Sequence, residues 1–343
     1  MNKRLVLVLG LVLIVSSVLS LVGCAPQKAQ QLNLLVFEGY AEPEWVQPFE
    51  KANNAIINVT SVSSVDEMFS KMSADGGKGF DLVTIDTSLF QRYTDHNLIV
   101  PIDLNNVPSY KDLLPEFQNL PVDMIGGKVY GVPYAWGSMP LTYNADVVQP
   151  TPDSWQAMWD KKYTGKVMLL DEPQNSVVTM ALSQGGYKDL WNFSDADFAR
   201  LKEGFASLKP QIRTISTGAT DMVDLMANKE IVVGIGWGET TVKQARDKGI
   251  NAAMVIPKEG AIGWLDNWAI SAGVQNKELA EKWISWVVSK ANSQLMVNKD
   301  GYNSTSIPTE GASYAARLVW LQPRSDYDRL SQFWNEVKLM LSQ

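Results

Sequence analysis

The chain has 343 residues, of which 45% are hydrophobic and 20% charged, so it is long enough for two lobes that each bury a core. Its formal net charge of −7 favours a cationic ligand and argues against nucleic acid as a partner. A single histidine and a single cysteine exclude His/Cys metal sites and histidine-dependent catalytic triads. We therefore expect neither a metal nor a cofactor.

The N-terminus has the pattern of an export signal. Lys3 and Arg4 precede an apolar run over residues 5–21, an order typical of a signal peptide, which we place at residues 1–23. A run of this length also approaches that of a bilayer-spanning helix, so an uncleaved membrane anchor is the alternative. Both interpretations place the rest of the chain outside the cytoplasm.

A candidate lipid-attachment site follows the apolar run. Residues 21–24, LVGC, resemble the bacterial lipobox, in which a small residue precedes a cysteine that is lipidated and becomes the mature N-terminus. Cys24 is the only cysteine, so we expect no disulfide in this extracytoplasmic body. Residues 24–31 are predicted to be a lipid-anchored tether.

Beyond the tether, short apolar strands alternate with amphipathic helices, which predicts an α/β fold. A predicted strand at residues 32–37 is followed by a helix that begins near Pro43. Ser64 and Glu67 form a capping-box pattern at the start of the next helix. Residues 80–85 then predict another buried strand.

Two extended segments, residues 130–143 and 262–269, are predicted to cross between lobes. Between them, strands are expected at residues 166–170 and 231–235, and Asn276 is expected to cap a later helix.

We therefore predict a two-lobed α/β protein. The first lobe is assigned residues 32–136 and 266–303, and the second residues 137–265 and 304–343. Two such lobes leave a cleft between them, where a ligand is expected to bind.

Aromatic residues and acids recur together where predicted strands end. In open α/β sheets these ends border the ligand crevice. Aromatic faces combined with carboxylates suit an organic ammonium ion, because the ring attracts the cation while the carboxylate accepts its N–H bonds. In a chain with 12 tryptophans, packing in the core is the alternative role for each ring. The groups are Phe37-Glu38 with Tyr40, Trp237 with Glu239, and Trp264 with Asp266.

The sequence offers few residues that could form a catalytic site. His96 lies in a polar, loop-like stretch, and residues 234–238 (GIGWG) lack the spacing of a phosphate-binding loop. The remaining catalytic option is a carboxylate-dependent lipoprotein hydrolase, for which Asp171 and Glu172 are the best candidates. We predict that the chain is not an enzyme.

Segments spread over nearly the whole chain beyond the tether match one known family. The PKEG and W-x-D-x-x-A-I patterns in the last of them are the more specific. On these residues the chain resembles the spermidine/putrescine-binding proteins of polyamine ABC importers. The segments are LLVFEGYAEPEWVQPFE at residues 34–50, FDLVTIDTSLFQRY at 80–93, YGVPYAWGSMPLTYNADVV at 130–148, SWQAMWDKKYTGKVMLLDE at 154–172, GIGWGE at 234–239 and PKEGAIGWLDNWAISAGVQNKELAEKW at 257–283.

The resemblance implies a type II periplasmic-binding fold, a monomer whose lobes close over a cation, and ABC permease subunits as partners. By position it implies that Trp264 and Asp266 grip an amine and that Trp237 stacks on the ligand. The full set of predicted ligand-binding residues is Phe37, Glu38, Tyr40, Asp86, Trp136, Glu172, Trp237, Trp264, Asp266 and Gln322.

Three departures from the family pattern concern the ligand. Asn175 stands where the family often has a second carboxylate, Glu38 replaces a small hydroxyl residue, and residues 86–88 (DTS) replace a Ser-Thr-Tyr-like run. We expect a diamine or polyamine. A betaine, an amino-acid-like zwitterion and a sugar are the alternatives.

Overall fold

The structure is a computed structural model that describes residues 29–342. The predicted signal peptide, Cys24 and the first part of the predicted tether lie outside these residues. Within the described range, none of the helices combines the length and the apolarity that a bilayer crossing requires.

Fifteen strands lie within residues 29–342. In chain order they are β1 Gln30–Phe37, β2 Ala55–Val62, β3 Leu82–Asp86, β4 Ile99–Val100, β5 Met124–Ile125, β6 Lys128–Val129, β7 Gly131–Met139, β8 Leu141–Asn144, β9 Val167–Leu170, β10 Ile212–Ser216, β11 Val233–Ile235, β12 Ala252–Val255, β13 Ala261–Ser271, β14 Asn303–Ser304 and β15 Leu318–Trp320.

Ten α-helices occur in the same part of the chain, and short 3₁₀ turns join several elements. The helices are α1 Pro43–Asn53, α2 Val65–Ala74, α3 Phe90–Asp95, α4 Pro173–Gln184, α5 Asp195–Leu208, α6 Ala219–Ala227, α7 Gly238–Asp247, α8 Lys277–Val287, α9 Lys290–Asp300 and α10 Tyr327–Ser342.

The larger sheet has the order β14-β7-β13-β3-β1-β2, with β15 and β4 also paired to β13. Strand β1 runs parallel to both β2 and β3, whereas β13 runs antiparallel to β3 and β7. The carboxyl ends of β1, β2 and β3 therefore lie at one edge of this sheet.

The smaller sheet has the order β10-β9-β11-β8-β12. Strand β9 runs parallel to β10 and β11, while β8 is antiparallel to β11 and β12. Three parallel carboxyl ends again meet at one edge. Strands β5 and β6 form a separate hairpin.

The chain passes between the two sheets at three points. It crosses at Pro140 between β7 and β8, within the predicted crossover. It returns at residues 256–260, before β13, and it leaves again after β15 toward α10, which packs on α4 and α5 of the smaller sheet.

The second crossover and the predicted lobe boundaries differ from this connectivity. Residues 262–269 lie inside β13, an 11-residue buried strand that pairs with β3 and β7. Strand β14 ends at Ser304, and β14 and β15 both pair within the larger sheet. Residues 137–139, 261–265, 304 and 318–320, which the sequence places in the second lobe, pair within the larger sheet because their backbone hydrogen bonds are made there.

Local sequence signals explain several helix ends. Ser64 Oγ accepts a hydrogen bond from the Glu67 N–H at 3.2 Å, as the capping pattern predicts, although the Glu67 carboxylate accepts from Ser63 instead of Ser64. Asn276 caps α8 by accepting from the Leu279 N–H at 3.1 Å. These caps fix the helices that cover the larger sheet.

Candidate ligand-binding site

A cavity of about 350 Å³, here called the interlobe cavity, lies where the carboxyl ends of the two sheets face each other. This edge of an open α/β sheet is the usual place for a ligand. Each of the six parallel strands supplies a wall residue at its end or within two residues after it. These residues are Phe37, Val62, Asp86, Glu172, Thr217 and Trp237.

Most of the predicted ligand-binding residues meet in this cavity. Trp136 and Gln322 do not; they line a second cavity of about 630 Å³, here called the rear cavity. Leu265 lines the rear cavity, whereas its chain neighbours line the interlobe cavity. The two cavities therefore lie on opposite faces of β13. The predicted residues in the interlobe cavity are Phe37, Glu38, Tyr40, Asp86, Glu172, Trp237, Trp264 and Asp266.

Five aromatic rings form a continuous row across the interlobe cavity. Ring centroids lie 6.2 Å apart between Phe37 and Tyr40 and 5.4 Å apart between Tyr40 and Tyr302. The row continues with centroid distances of 5.7 Å between Tyr302 and Trp264 and 6.4 Å between Trp264 and Trp237. All four pairs are edge-to-face, so the rings hold one another in fixed orientations.

Tyr302 is a wall residue that our sequence analysis missed. It follows α9 after Asp300 and Gly301, and its hydroxyl donates to the Glu38 carbonyl at 3.3 Å. The signal was present, because Asp300 and Tyr302 repeat the pairing of an acid with an aromatic residue that marks the other walls.

Backbone geometry orients the two tryptophans. The indole of Trp264 lies against Gly137 in β7, where a Cβ atom would come within 2.5 Å of the ring. The Trp237 indole donates to the Thr217 carbonyl at 2.8 Å. Gly238 has a φ of +52° and would place a Cβ 2.8 Å from the Ser138 carbonyl oxygen. Glycine at positions 137 and 238 thus lets the indoles and the crossover strand approach closely.

Asp86 and Asp266 form a pair of facing carboxyls. They are register partners on β3 and β13, and both side chains are buried. The Tyr40 hydroxyl donates to Asp266 Oδ2 at 2.6 Å, and the Ser88 N–H donates to Asp86 Oδ1 at 2.8 Å. The Ser88 hydroxyl also donates to Asp86.

A third carboxyl enters from the smaller sheet. Glu172 stands at the N-terminus of α4 and is 5% exposed. Among the described residues, none donates a hydrogen bond to its carboxylate. Asn175, one turn further along α4, also lines the cavity and is buried.

Burial shifts these acids toward their neutral forms. It raises the pKa of Glu172 to about 8, with the charges of Asp66 and Asp171 adding to the effect. It raises the pKa of Asp86 to about 6, although hydrogen bonds from Ser88 oppose the rise. Burial, followed by the charge of Asp86, also holds the pKa of Asp266 well above its usual range.

The described walls of the interlobe cavity contain acids but no lysine, arginine or histidine. Of these acids, Glu42 is neutralised by Lys299 at 2.9 Å. No described wall side chain supplies a positive charge to the other acids, so a bound cation would favour their ionised forms and be held by them. The acids are Glu38, Glu42, Asp86, Glu172, Asp266 and Asp300.

Of the residues considered for catalysis, Glu172 lines the interlobe cavity, whereas Asp171 and His96 lie outside it. Asp171 does not line the interlobe cavity; it accepts from Lys338 Nζ at 2.7 Å and from the Trp334 indole at 2.8 Å. His96 is exposed, and its ring contacts the Arg92 carbonyl. Within residues 29–342 no cluster of His, Cys, Asp and Glu is arranged to hold a metal ion.

Curated relatives confirm the resemblance inferred from the sequence. The spermidine/putrescine-binding periplasmic protein of Escherichia coli (strain K12) is 26% identical over 290 residues, which cover 83% of this chain and 81% of the relative. A putrescine-binding periplasmic protein of the same strain is 27% identical, with 78% of this chain and 75% of the relative covered.

Solved structures show the same fold. A putative spermidine/putrescine ABC transporter protein from Listeria monocytogenes superposes with a TM-score of 0.80 at 22% identity, covering 92% of this chain and 99% of that chain. A periplasmic thiamin-binding protein superposes with a TM-score of 0.70 over 94% of this chain and 100% of that chain, at 15% identity. The predicted type II periplasmic-binding fold is thereby confirmed.

The family model described as bacterial extracellular solute-binding protein matches residues 44–315, most of the chain. Five of the eight predicted residues that line the interlobe cavity lie inside this range, and Phe37, Glu38 and Tyr40 precede it.

 Strands β1 and β15 lie just outside the matched range, one at each end, and the rest of both sheets lies within it. The chain belongs to the bacterial extracellular solute-binding proteins.

Proposed function

We propose that the chain binds a small organic cation, a diamine or polyamine, in the interlobe cavity and delivers it to the permease of an ABC importer. The observation that carries this proposal is a wall of aromatic rings and acids that includes no basic side chain among the described residues. Two relatives whose names state that they bind putrescine, one of them also spermidine, support the same ligand class.

Membership of the family establishes the general role of the chain in solute uptake. As an extracellular solute-binding protein, the chain is extracytoplasmic, binds a small solute, works with permease subunits and is not an enzyme. The cavity volume of about 350 Å³ suits a small molecule.

In the proposed complex, the facing carboxyls of Asp86 and Asp266 accept N–H bonds from an ammonium group, which the nearby rings also attract. The indoles of Trp237 and Trp264 pack on the aliphatic part of the ligand. Glu172 binds a second positive group from the side of the smaller sheet.

We further propose that the two sheets move as two lobes. Trp264 and Asp266 belong to the larger sheet, whereas Glu172 and Trp237 follow strands of the smaller one. A ligand that contacts both sets stabilises the closed arrangement that the permease recognises. Small-angle scattering should then show a smaller radius of gyration after ligand addition, and an unchanged radius would contradict lobe closure.

The ligand class is tested by a thermal-shift screen of the purified protein. Diamines and polyamines should raise the melting temperature, because a ligand that binds only the folded state stabilises it. Betaines, amino acids and sugars form the comparison set. A larger shift with a sugar or a betaine than with any amine would overturn the proposed ligand.

We also propose that Cys24 carries the lipid that anchors the protein, on the basis of the LVGC sequence alone. Cells that express the full chain should incorporate labelled fatty acid into it, and Cys24→Ser should abolish the label. Labelling of the Cys24→Ser protein would refute the assignment.

A further inference from the structure

Three carboxyl groups from three separate elements face the interlobe cavity: Asp86 at the end of β3, Asp266 within β13 and Glu172 before α4. Each is at most 6% exposed. No described residue donates a hydrogen bond to the Glu172 carboxylate, and Asp266 accepts only from the Tyr40 hydroxyl. These carboxyl groups are thus buried beside a cavity, and their neighbours supply only some of the hydrogen bonds that they can accept.

The groups around Asp86 and Asp266 are neutral or acidic. Tyr40 comes from the segment after β1 and Ser88 from the turn after β3. Asp300 ends α9, and Tyr302 follows it. None of these can neutralise the two facing carboxylates.

The groups around Glu172 include two cations, Lys338 and Arg92, and each already pairs with another carboxylate. Asp66 from α2, Tyr327 from α10 and Asp171 beside Glu172 are acidic or neutral. Lys338 from α10 pairs with Asp171 at 2.7 Å.

Arg92 approaches the same rim from α3, but it pairs with Asp66 at 3.5 Å. Both nearby cations are therefore committed to other carboxylates, and neither bonds to Glu172.

We propose that the ligand cation enters the interlobe cavity in exchange for protons: the empty cluster of Asp86, Asp266 and Glu172 holds protons that a bound ammonium group releases. This inference rests on the proposed function. It gives the binding protein a dependence on external pH that the ligand class alone does not imply.

The exchange balances in charge and in protons. A neutral carboxyl and a solvated ammonium ion become a carboxylate paired with the ammonium ion, and one proton passes to solvent. The ligand nitrogen stays protonated throughout, because alkylammonium groups such as that of lysine have pKa values of about 10. The raised pKa values, about 6 for Asp86 and about 8 for Glu172, place the exchange near neutral pH.

The direction of the pH effect follows from this exchange. Binding releases protons, so a higher pH favours it. For each proton released, the association constant rises by about tenfold per pH unit, until the carboxyl concerned is already ionised in the empty protein.

Calorimetry tests the exchange with putrescine as the probe. Titrations at pH 7 in phosphate and in Tris, two buffers with different enthalpies of ionisation, separate the heat of binding from the heat of proton uptake by the buffer. The dependence of observed enthalpy on buffer enthalpy gives the number of protons released. We expect about one or more protons per putrescine.

Variants locate the source of the protons. Glu172→Gln should lower the number of protons released at pH 7, and Asp86→Asn should lower it in a titration at pH 6, where the Asp86 carboxyl of the ligand-free protein is still partly protonated. Asp123→Asn is the matched control, because Asp123 is 3% exposed and burial raises its pKa to about 8, but it lines neither cavity. Proton release should be unchanged in that variant.

The outcomes separate this inference from the proposed function. Clear putrescine binding to the wild-type protein with no dependence on the buffer would overturn proton exchange and leave the amine ligand standing. No binding of any amine between pH 6 and 8.5 would overturn both.

Discussion

The interlobe and rear cavities lie on opposite faces of β13, and both have aromatic walls. The rear cavity contains Phe117, Trp136 and Trp320, with ring centroids 6.2 Å apart between Phe117 and Trp136 and 5.6 Å apart between Trp136 and Trp320. Its one acid is the exposed Glu116. Aromatic rings alone therefore do not distinguish the two cavities; buried carboxyls do.

Strand register produces this difference. Along β13, Trp264 and Asp266 point to the interlobe cavity and Leu265 to the rear one, because side chains alternate between the faces of a strand. Asp86 and Thr87 divide in the same way after β3. Substitutions on the two faces should consequently have very different effects on ligand binding.

The largest effect is expected for Asp266→Asn. Loss of this carboxylate removes one partner of a buried charge pair, which should cost about 2–5 kcal/mol of amine affinity. Glu116→Gln, an acid of the rear cavity, is the control and should bind putrescine as the wild-type protein does. Calorimetry that finds equal affinity in the Asp266→Asn protein would remove Asp266 from the site.

The stability of the ligand-free protein should fall as the pH rises from 5.5 to 8. The folded-state pKa values lie above the unfolded ones, so the folded protein holds extra protons on Glu172 up to about pH 8 and on Asp86 up to about pH 6, and it is favoured at the lower pH. Each such carboxyl contributes about 1.4 kcal/mol per pH unit between its two pKa values. Denaturant unfolding measures the slope.

Two substitutions flatten this slope if the carboxyls cause it. Asp86→Asn and Glu172→Gln should each make the free energy of unfolding less sensitive to pH. A wild-type stability that rises over the same pH range would contradict the protonated state of the empty cavity.

A smaller loss of affinity is expected for Trp237→Leu. The substitution removes the ring that attracts the cation but keeps an apolar contact, and a cation–π interaction contributes about 0.5–2 kcal/mol. Trp136→Phe is the control from the rear cavity. It should leave putrescine affinity unchanged while lowering stability by about 1 kcal/mol, because the Trp136 indole donates to the Ser304 carbonyl.

The smallest effect is expected for Gln322→Ala. Gln322 is exposed, lines the rear cavity, and its amide donates to the Trp320 carbonyl at 3.3 Å. Putrescine affinity measured by calorimetry should therefore match that of the wild-type protein. A loss of more than tenfold would mean that Gln322 reaches the ligand when the lobes close.

The sequence predicts the strand ends well, because an apolar run followed by an acid and an aromatic residue marks both the strand and the edge of the sheet. It predicts β13 poorly. The alternation of tryptophan and aspartate in residues 262–269 resembles a ligand-facing segment, and only pairing with β3 and β7 shows that it is a strand of the larger sheet.

Other features depend on tertiary packing. The sequence does not reveal helix α4, because its ten buried residues mix polar and apolar side chains and therefore show no helical period of hydrophobicity. Trp136 is among the predicted ligand-binding residues, but the register of β7 against β13 places it in the wall of the rear cavity. Tyr302 joins the other rings only through the fold.

The most direct test of the account compares putrescine with 1,4-butanediol, which has the same carbon chain but carries hydroxyl groups instead of ammonium groups. Because the interlobe cavity is walled by acids without a basic partner among the described residues, calorimetry should detect putrescine binding and no binding of the diol. Equal affinity for the two compounds would contradict a site built for positive nitrogen.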